Sequence, residues 1–284
     1  MLKQLKSYIK FKWNAQNEHG IHSPFVFDLI TKCFYDTTIY PEYEVLKQYR
    51  KSLLANKNTI EVTDFGAGSR VFKSNTRQIS AIAKNAGIST ENAKLLFRMV
   101  RYFQPKNILE IGTSLGLATN SLALGNPITT LTTLEGCKNT QEIAIKLFEK
   151  QFQGANGRDF TYPKPNVIFV NTEFKSYLKS FDFQHSTFDF IYFDGNHSLT
   201  ATLEYFNLLL PTITNETVWI FDDIHWSPDM EKAWKIIKNH PQVTVTIDTF
   251  QWGIVFFRKE QQKQHFIINP KRNISSLLFK KIKI

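Results

Sequence analysis

The chain has 284 residues, enough for one large domain or a domain with an extension, and its apolar share of 42% is that of a globular protein. No run approaches the roughly 18 apolar residues of a membrane span. The net charge of +10 is uneven, with 16 basic against 8 acidic side chains in residues 1–105, 11 against 16 in 106–257, and 8 against 1 in 258–284. Basic ends suit RNA or anionic lipid, or are simply solvated, whereas the acidic middle disfavours nucleic acid as the main partner. The opening Met1-Leu2-Lys3-Gln4-Leu5-Lys6 lacks the apolar core of a signal peptide. Cys33 and Cys137 lie far apart with no metal-binding spacing. Both read as reduced thiols of a cytoplasmic protein.

Residues 1–105 carry apolar positions at helical spacing in Ser23 to Phe34, Tyr43 to Leu54, Asn75 to Ala86 and Thr90 to Phe103. Ser23-Pro24 reads as a helix start, Ser89 or Thr90 as a cap, and Pro105 as a stop. This is a helical extension with no flexible linker after it, suited to capping a substrate or forming a homodimer. Within it His19 and His22 stand three apart, as if on one helical turn. A structural or dimer role, a substrate-cap role and metal binding are all open, although no third ligand is apparent. Val62 to Ser69 contains Asp64, Gly66 and Gly68 and looks like a nucleotide loop. No strand ending in an acid follows at the right distance, so it reads as a glycine-rich loop or a lid near a site.

From Asn107 strand-like and helix-like runs alternate. Strands are expected at Asn107–Ile111, Ile128–Leu134, Asn166–Val170, Phe188–Phe193, Thr217–Phe221, Val243–Ile247 and Gly253–Arg258. Helices are expected at Leu115–Leu124, Thr140–Phe152, Glu173–Ser180, Leu199–Leu210 and Asp229–Asn239. Continuous apolar strands are covered on both faces, which gives an α/β fold with a mostly parallel sheet. Only Asp248 to Trp252 separate the last two strands, so they form a hairpin and the final one runs antiparallel. Residues 106–258 make one domain, and 259–284 a basic tail.

Glu110-Ile111-Gly112-Thr113-Ser114-Leu115-Gly116 joins the first of these strands to its helix. Such a turn lets the backbone approach a nucleotide-like ligand and aims helix amides at it. The next strand ends in Glu135, placed to accept from the hydroxyls of a ribose. Alone, the glycine spacing fits an ordinary tight turn equally well.

The seven strands, the last hairpin, Leu-Glu-Ile-Gly-Thr-Ser-Leu-Gly and the later acid together resemble a class I S-adenosylmethionine-dependent methyltransferase over about residues 79 to 258. The Gly-Thr-Ser-Leu-Gly form is similar to small-molecule O-methyltransferases of the catechol type. The resemblance implies that the cofactor lies along Glu110, Gly112, Thr113, Ser114 and Gly116. Glu110 and Gly112 would flank its methionine part, Glu135 would hold the ribose, and Asn171 to Phe174, including Thr172 and Glu173, would flank the adenine. A dehydrogenase would need room for two nucleotides, and no second phosphate loop appears.

In the family's strand order the strands ending at Asp194-Gly195-Asn196-His197 and at Asp222-Asp223-Ile224-His225 are neighbours beside the cofactor loop. Asp194, Asp222 and Asp223 would repel one another there unless a cation sat among them. Mg²⁺ suits oxygen donors and keeps positions for water and substrate. Asp222 and Asp223 can both bind only if the chain is already turning. The catechol branch has a lysine base where this chain has His197, and Asp-Asn where it has Asp222-Asp223. Both departures point toward the sugar and antibiotic branch. The implied activity is Mg²⁺-assisted methylation of a small-molecule hydroxyl, with His197 as base. RNA methylation and a non-catalytic cofactor-binding module are the alternatives. Each acidic motif could also be a plain strand-end turn, Asp222 could cap the next helix, and His225 could support the site or lie on the surface.

Overall fold

Period-two alternation in the apolar strands builds a sheet with two covered faces. The computed structural model describes residues 2–63, 65, 72–152, 164–182 and 187–271. The first part contains helices α1 (Leu2–Asn14), α2 (Pro24–Leu29) and α3 (Glu42–Ala55), the hairpin strands β1 (Thr59–Glu61) and β2 (Thr76–Gln78), and helices α4 (Ile79–Asn85) and α5 (Thr90–Phe103). The second alternates β3 (Asn107–Ile111), α6 (Leu117–Gly125), β4 (Thr130–Glu135), α7 (Lys138–Phe152), β5 (Asn166–Asn171), α8 (Phe174–Ser180), β6 (Phe190–Phe193), α9 (Leu199–Leu209), β7 (Val218–Asp222) and α10 (Pro228–Asn239). It closes with β8 (Val245–Asp248), β9 (Trp252–Phe256) and β10 (Gln264–Ile267).

The eight-stranded sheet has the order β10-β8-β9-β7-β6-β3-β4-β5. All pairings are parallel except those of β9, which runs antiparallel to both β7 and β8. The expected hairpin and reversed strand are therefore present. The expected seven strands gain an eighth, because Gln264 to Ile267 leaves the basic tail to pair with β8. No helix among the described residues is long and apolar enough to cross a membrane.

Alternate residues of the central strands face opposite cores. Ile108, Phe190, Tyr192, Val218 and Ile220 pack with Leu29, Ile30, Leu96 and Val100 of the N-terminal helices. Leu109, Ile111, Ile191, Phe193, Trp219 and Phe221 pack with Tyr205, Phe206 and Trp234 on the other side. Each fully buried side chain of this size contributes about 1.5–3 kcal/mol. The helices before Asn107 thus bury their apolar stripes on the sheet itself. Ser23 and Ser89 cap α2 and α5, and Gln104, in the left-handed region at φ 49°, ends α5 before Pro105.

Two local expectations are corrected. Asn75 to Ala86 is not helical throughout, because Thr76-Arg77-Gln78 pairs antiparallel with Thr59 to Glu61 and the helix starts at Ile79. A non-local partner outweighs local periodicity there. His19 and His22 do not share a helical turn: Glu18–Gly20 is a single 3-10 turn, and Ile21 after it is extended.

Candidate active site

The carboxyl ends of β3, β4, β6 and β7 open into one cavity of about 600 Å³. On one side Gly112, Ser114, Glu135, Thr172 and Glu173 line it, and on the other Asp194, His197, Asp222 and Asp223. The strand order puts both sets at the point where connections leave the sheet in opposite directions, the usual ligand crevice of such folds.

Gly112 has φ 111°, and a Cβ there would stand 2.4 Å from the Asp194 carbonyl oxygen, so no side chain fits. Its N–H donates to the Leu134 carbonyl (3.0 Å). Gly116, at φ 78°, opens α6 and backs onto the Tyr49 hydroxyl, where a Cβ would clash at 2.5 Å. Tyr49 in turn donates to the Leu115 carbonyl (2.9 Å), so α3 braces the turn. Glu135 is fixed by backbone, its carboxylate accepting from the N–H of Ser114 (2.7 Å) and of Cys137 (2.8 Å). These charge-assisted bonds hold the acid at the cavity wall.

Glu110, Thr113 and Gly116 do not line this cavity. Glu110 is fully buried, and its Oε2 accepts from the hydroxyls of Thr119 (2.6 Å) and Thr133 (2.5 Å), while Thr113 and Thr133 share a hydroxyl contact of 2.5 Å. Burial pushes the Glu110 carboxyl up to about 8, against the pull of the two threonine hydroxyls. It therefore stands behind the glycine turn with its protonated form favoured by burial. The Glu173 carboxylate faces its own helix, accepting from the N–H of Lys175 and Ser176 as the cap of α8. The neighbouring Asn171 amide donates to the Glu135 carbonyl (2.8 Å) and Phe174 packs on Gly195.

The other side is held by side chains. The His197 Nε2 lies 3.6 Å from Asp194 Oδ1. One amide nitrogen of Gln251 donates to Asp222 Oδ1 (2.9 Å) and to Asp223 Oδ1 (2.6 Å). Asp223 has φ 55°, the turn needed to bring two consecutive carboxylates to one side. Ser114, Asn196 and Asp223, three of the five non-glycine residues with positive φ among those described, line the cavity. Such strained backbone gathers where function requires it. Asp222 does not cap the following helix, because Ser227 does.

Charge is crowded here. Burial pushes Asp222 up to about 8, and the Asp194 carboxylate beside it pushes the same way, against His197 and Gln251. Burial draws His197 down, but Asp194, Asp223 and Asp222 carry it up to about 9. Burial and crowding thus favour a proton on Asp222 and a positive charge on His197, which together relieve the repulsion. The donor set of three carboxylates fits a hard cation in its chemistry. Among the described residues no group of three His, Cys, Asp or Glu side chains is disposed to hold a metal as they stand.

Other residues take part that spacing alone did not reveal. Gln251 is one. Its signal was the short hairpin, whose register sets Trp252 opposite Asp222 and so Gln251 at the end of β7. Phe65 is another. Its ring covers Gly136, and its carbonyl accepts from Asn196 (3.5 Å). The rest of the glycine-rich segment, Asp64 and residues 66–71, lies outside the described residues. His225 is away from the cavity, between Glu231 (3.3 Å) and Asp248 (2.9 Å) and stacked on Phe250. His19 and His22 do not line the cavity, and Cys33 and Cys137 are both free thiols.

Residues 109–224 match the profile of a family described as a methyltransferase domain. No curated protein matches the sequence. Among solved structures, a Podospora anserina methyltransferase bound to SAH is 14% identical, with a TM-score of 0.55 over 84% of this chain and 98% of its own. The O-methyltransferase TomG from Streptomyces achromogenes, in complex with SAM, is 16% identical with a TM-score of 0.53, over 81% of this chain and 95% of that one. An O-methyltransferase from Bacillus cereus in complex with SAH is 19% identical with a TM-score of 0.50, over 78% and 93%. At such identities the likeness establishes the fold, which is that of class I S-adenosylmethionine-dependent methyltransferases.

Proposed function

We propose that this class I methyltransferase domain binds S-adenosylmethionine and methylates a hydroxyl of a small molecule, with Mg²⁺ assisting. One observation carries the reading: the Asp194, His197, Asp222 and Asp223 cluster opens into the same cavity as Gly112, Ser114 and Glu135. The volume of about 600 Å³ suits a cofactor and a modest acceptor rather than a polymer. The helical extension supports this from the far side, since Arg77, Ile82, Ile88 and Asn92 line the cavity too. We assign them to the acceptor.

Bound there, S-adenosylmethionine supplies an electrophilic methyl group on a sulfonium. Gly112 and Ser114 bring backbone close to it, and Glu135, already oriented by two amides, is the acceptor for ribose hydroxyls. His197 takes the acceptor's proton on the ring nitrogen that does not face Asp194, and Asp194, 3.6 Å from Nε2, orients the ring. A base with a pKa of about 9 is charged at neutral pH, so His197 works only when the surrounding negative charge is offset. Mg²⁺ held by Asp194, Asp222 and Asp223 would supply that offset and lower the pKa of a hydroxyl. Gln251, which now bridges Asp222 and Asp223, keeps the two carboxylates side by side. The intact cluster disfavours a purely structural binding module, and its negative charge disfavours phosphate-rich RNA.

The test has two parts. Calorimetry should detect S-adenosylhomocysteine binding without metal, and failure to bind would remove the assignment altogether. Methyl transfer to a panel of small hydroxylated acceptors should then rise with Mg²⁺, and its pH profile should move toward lower pH. Undiminished transfer in excess chelator would eliminate the metal and leave His197 alone as the base.

A further inference from the structure

The N-terminal helix α1 presents an apolar stripe to solvent. Leu5, Ile9 and Trp13 are 54%, 58% and 88% exposed. They follow one another at i, i+4 and i+8, so they fall within about 80° of each other on the helix. Lys6 and Lys12, both exposed, lie three residues either side of Ile9, about 60° to its left and right. Lys10 adds to the same charge, and the first 17 residues contain no acid. The opposite face attaches α1 to the protein. Ser7 donates to Glu231 (2.6 Å), and the rings of Tyr8 and Phe11 pack on Phe250 at 4.9 and 5.5 Å. The chain after α1 is tied down as well, the Gln16 N–H donating to the Ile267 carbonyl (2.7 Å). The helix is therefore docked by one face while its apolar face stays uncovered.

We propose that this face of α1 binds an anionic lipid surface. An aliphatic stripe ending in tryptophan and bracketed by lysines is the composition of a helix lying in a membrane interface. The apolar side chains enter the boundary and the lysine stems reach back to headgroups. Charge complementarity selects this occupant over a second copy of the chain. Two α1 helices packed together would set lysines against lysines with no acid to pair them. Three side chains also fall well short of the roughly 800 Å² per partner of a stable protein interface. None of this depends on the catalytic reading.

Flotation of the full-length protein with vesicles provides the test. It should bind mixed phosphatidylserine–phosphatidylcholine vesicles roughly tenfold or more tightly than phosphatidylcholine alone, and lose this in high salt. The triple variant L5Q/I9Q/W13Q should lose vesicle binding while keeping its affinity for S-adenosylhomocysteine or, should that ligand fail, its melting temperature. Replacing Lys6 and Lys12 by Gln should weaken binding with the apolar stripe intact. Three results would overturn the proposal: no vesicle binding, binding unchanged in the triple variant, or a dimer in light scattering that the triple variant abolishes.

Discussion

The two sides of the cavity are built on different principles. The β3–β4 side is held by backbone: Glu135 by two amides, and Gly112 and Gly116 by turns that exclude side chains. Its buried acid, Glu110, is bonded to hydroxyls, and burial raises it above the usual carboxylate range. The β6–β7 side is held by side chains that share two protons among three carboxylates and an imidazole. Its titrating groups face the cavity, whereas Glu110, raised to the same value of about 8 as Asp222, lies behind the glycine turn and does not line it. Pre-formed binding beside adjustable acid–base chemistry is what transfer to a weakly acidic hydroxyl needs.

The contrast can be broken most sharply at His197. The His197→Ala variant should reduce methyl transfer by roughly 10²–10⁴-fold, the usual worth of a general base, while leaving S-adenosylhomocysteine affinity nearly unchanged. A large loss of cofactor affinity would mean that the two sides are not separable. The reverse experiment is Glu135→Ala, which should weaken cofactor binding by about 1.5–3 kcal/mol in calorimetry. It should leave the pH dependence of turnover at saturating cofactor where it was.

A third expectation concerns stability. Asp222 titrates near 8 in the folded chain against an ordinary 3.8, and His197 near 9 against 6.5. Between those values the native state binds more protons than the unfolded one, so stability falls as pH rises. The Asp222 contribution is greatest below 3.8 and gone above about 8, and that of His197 is complete below 6.5 and lost through about 9. Melting of the metal-free protein should therefore drop from pH 6 to pH 9 (roughly the window between these values), and Asp222→Asn should flatten the drop. A melting temperature independent of pH in that window would contradict the crowding of charge. The smallest effect belongs to Tyr49→Phe, which removes one bond to the glycine turn. About 0.5–1.5 kcal/mol of stability should be lost, measured by denaturant unfolding, with little change in turnover.

These regions also differed in how much could be read from sequence. The glycine turn was legible because Gly112 and Gly116 occupy backbone states that other residues resist, and because a strand-like run precedes it and a second one, ending in Glu135, follows. Asp194, His197, Asp222 and Asp223 were brought together through the strand order that the resemblance supplied. What escaped was set by partners distant in the chain. Thr76 to Gln78 becomes a strand only by pairing with Thr59 to Glu61. Gln264 to Ile267 becomes one by lying along β8. That Glu110 stands behind the turn rather than on the cavity wall depends on Thr119 and Thr133, contributed by α6 and β4, which hold its carboxyl group inward. Gln251 carries no motif, and its importance comes from the register of β9 on β7.

The close approach of Gly112 to the Asp194 carbonyl has an evolutionary consequence. Two loops in contact through main chain alone leave no side chain at the junction for mutation to vary. On the proposed function, the spacing between methyl donor and proton acceptor is thereby fixed by main chain. Change is left to the periphery, to the β1–β2 hairpin with Phe72 and Arg77 and to the loop bearing Trp226, all of which border the same cavity. On that reading, one acceptor can be exchanged for another by altering those borders, without rebuilding the proposed chemistry beneath them.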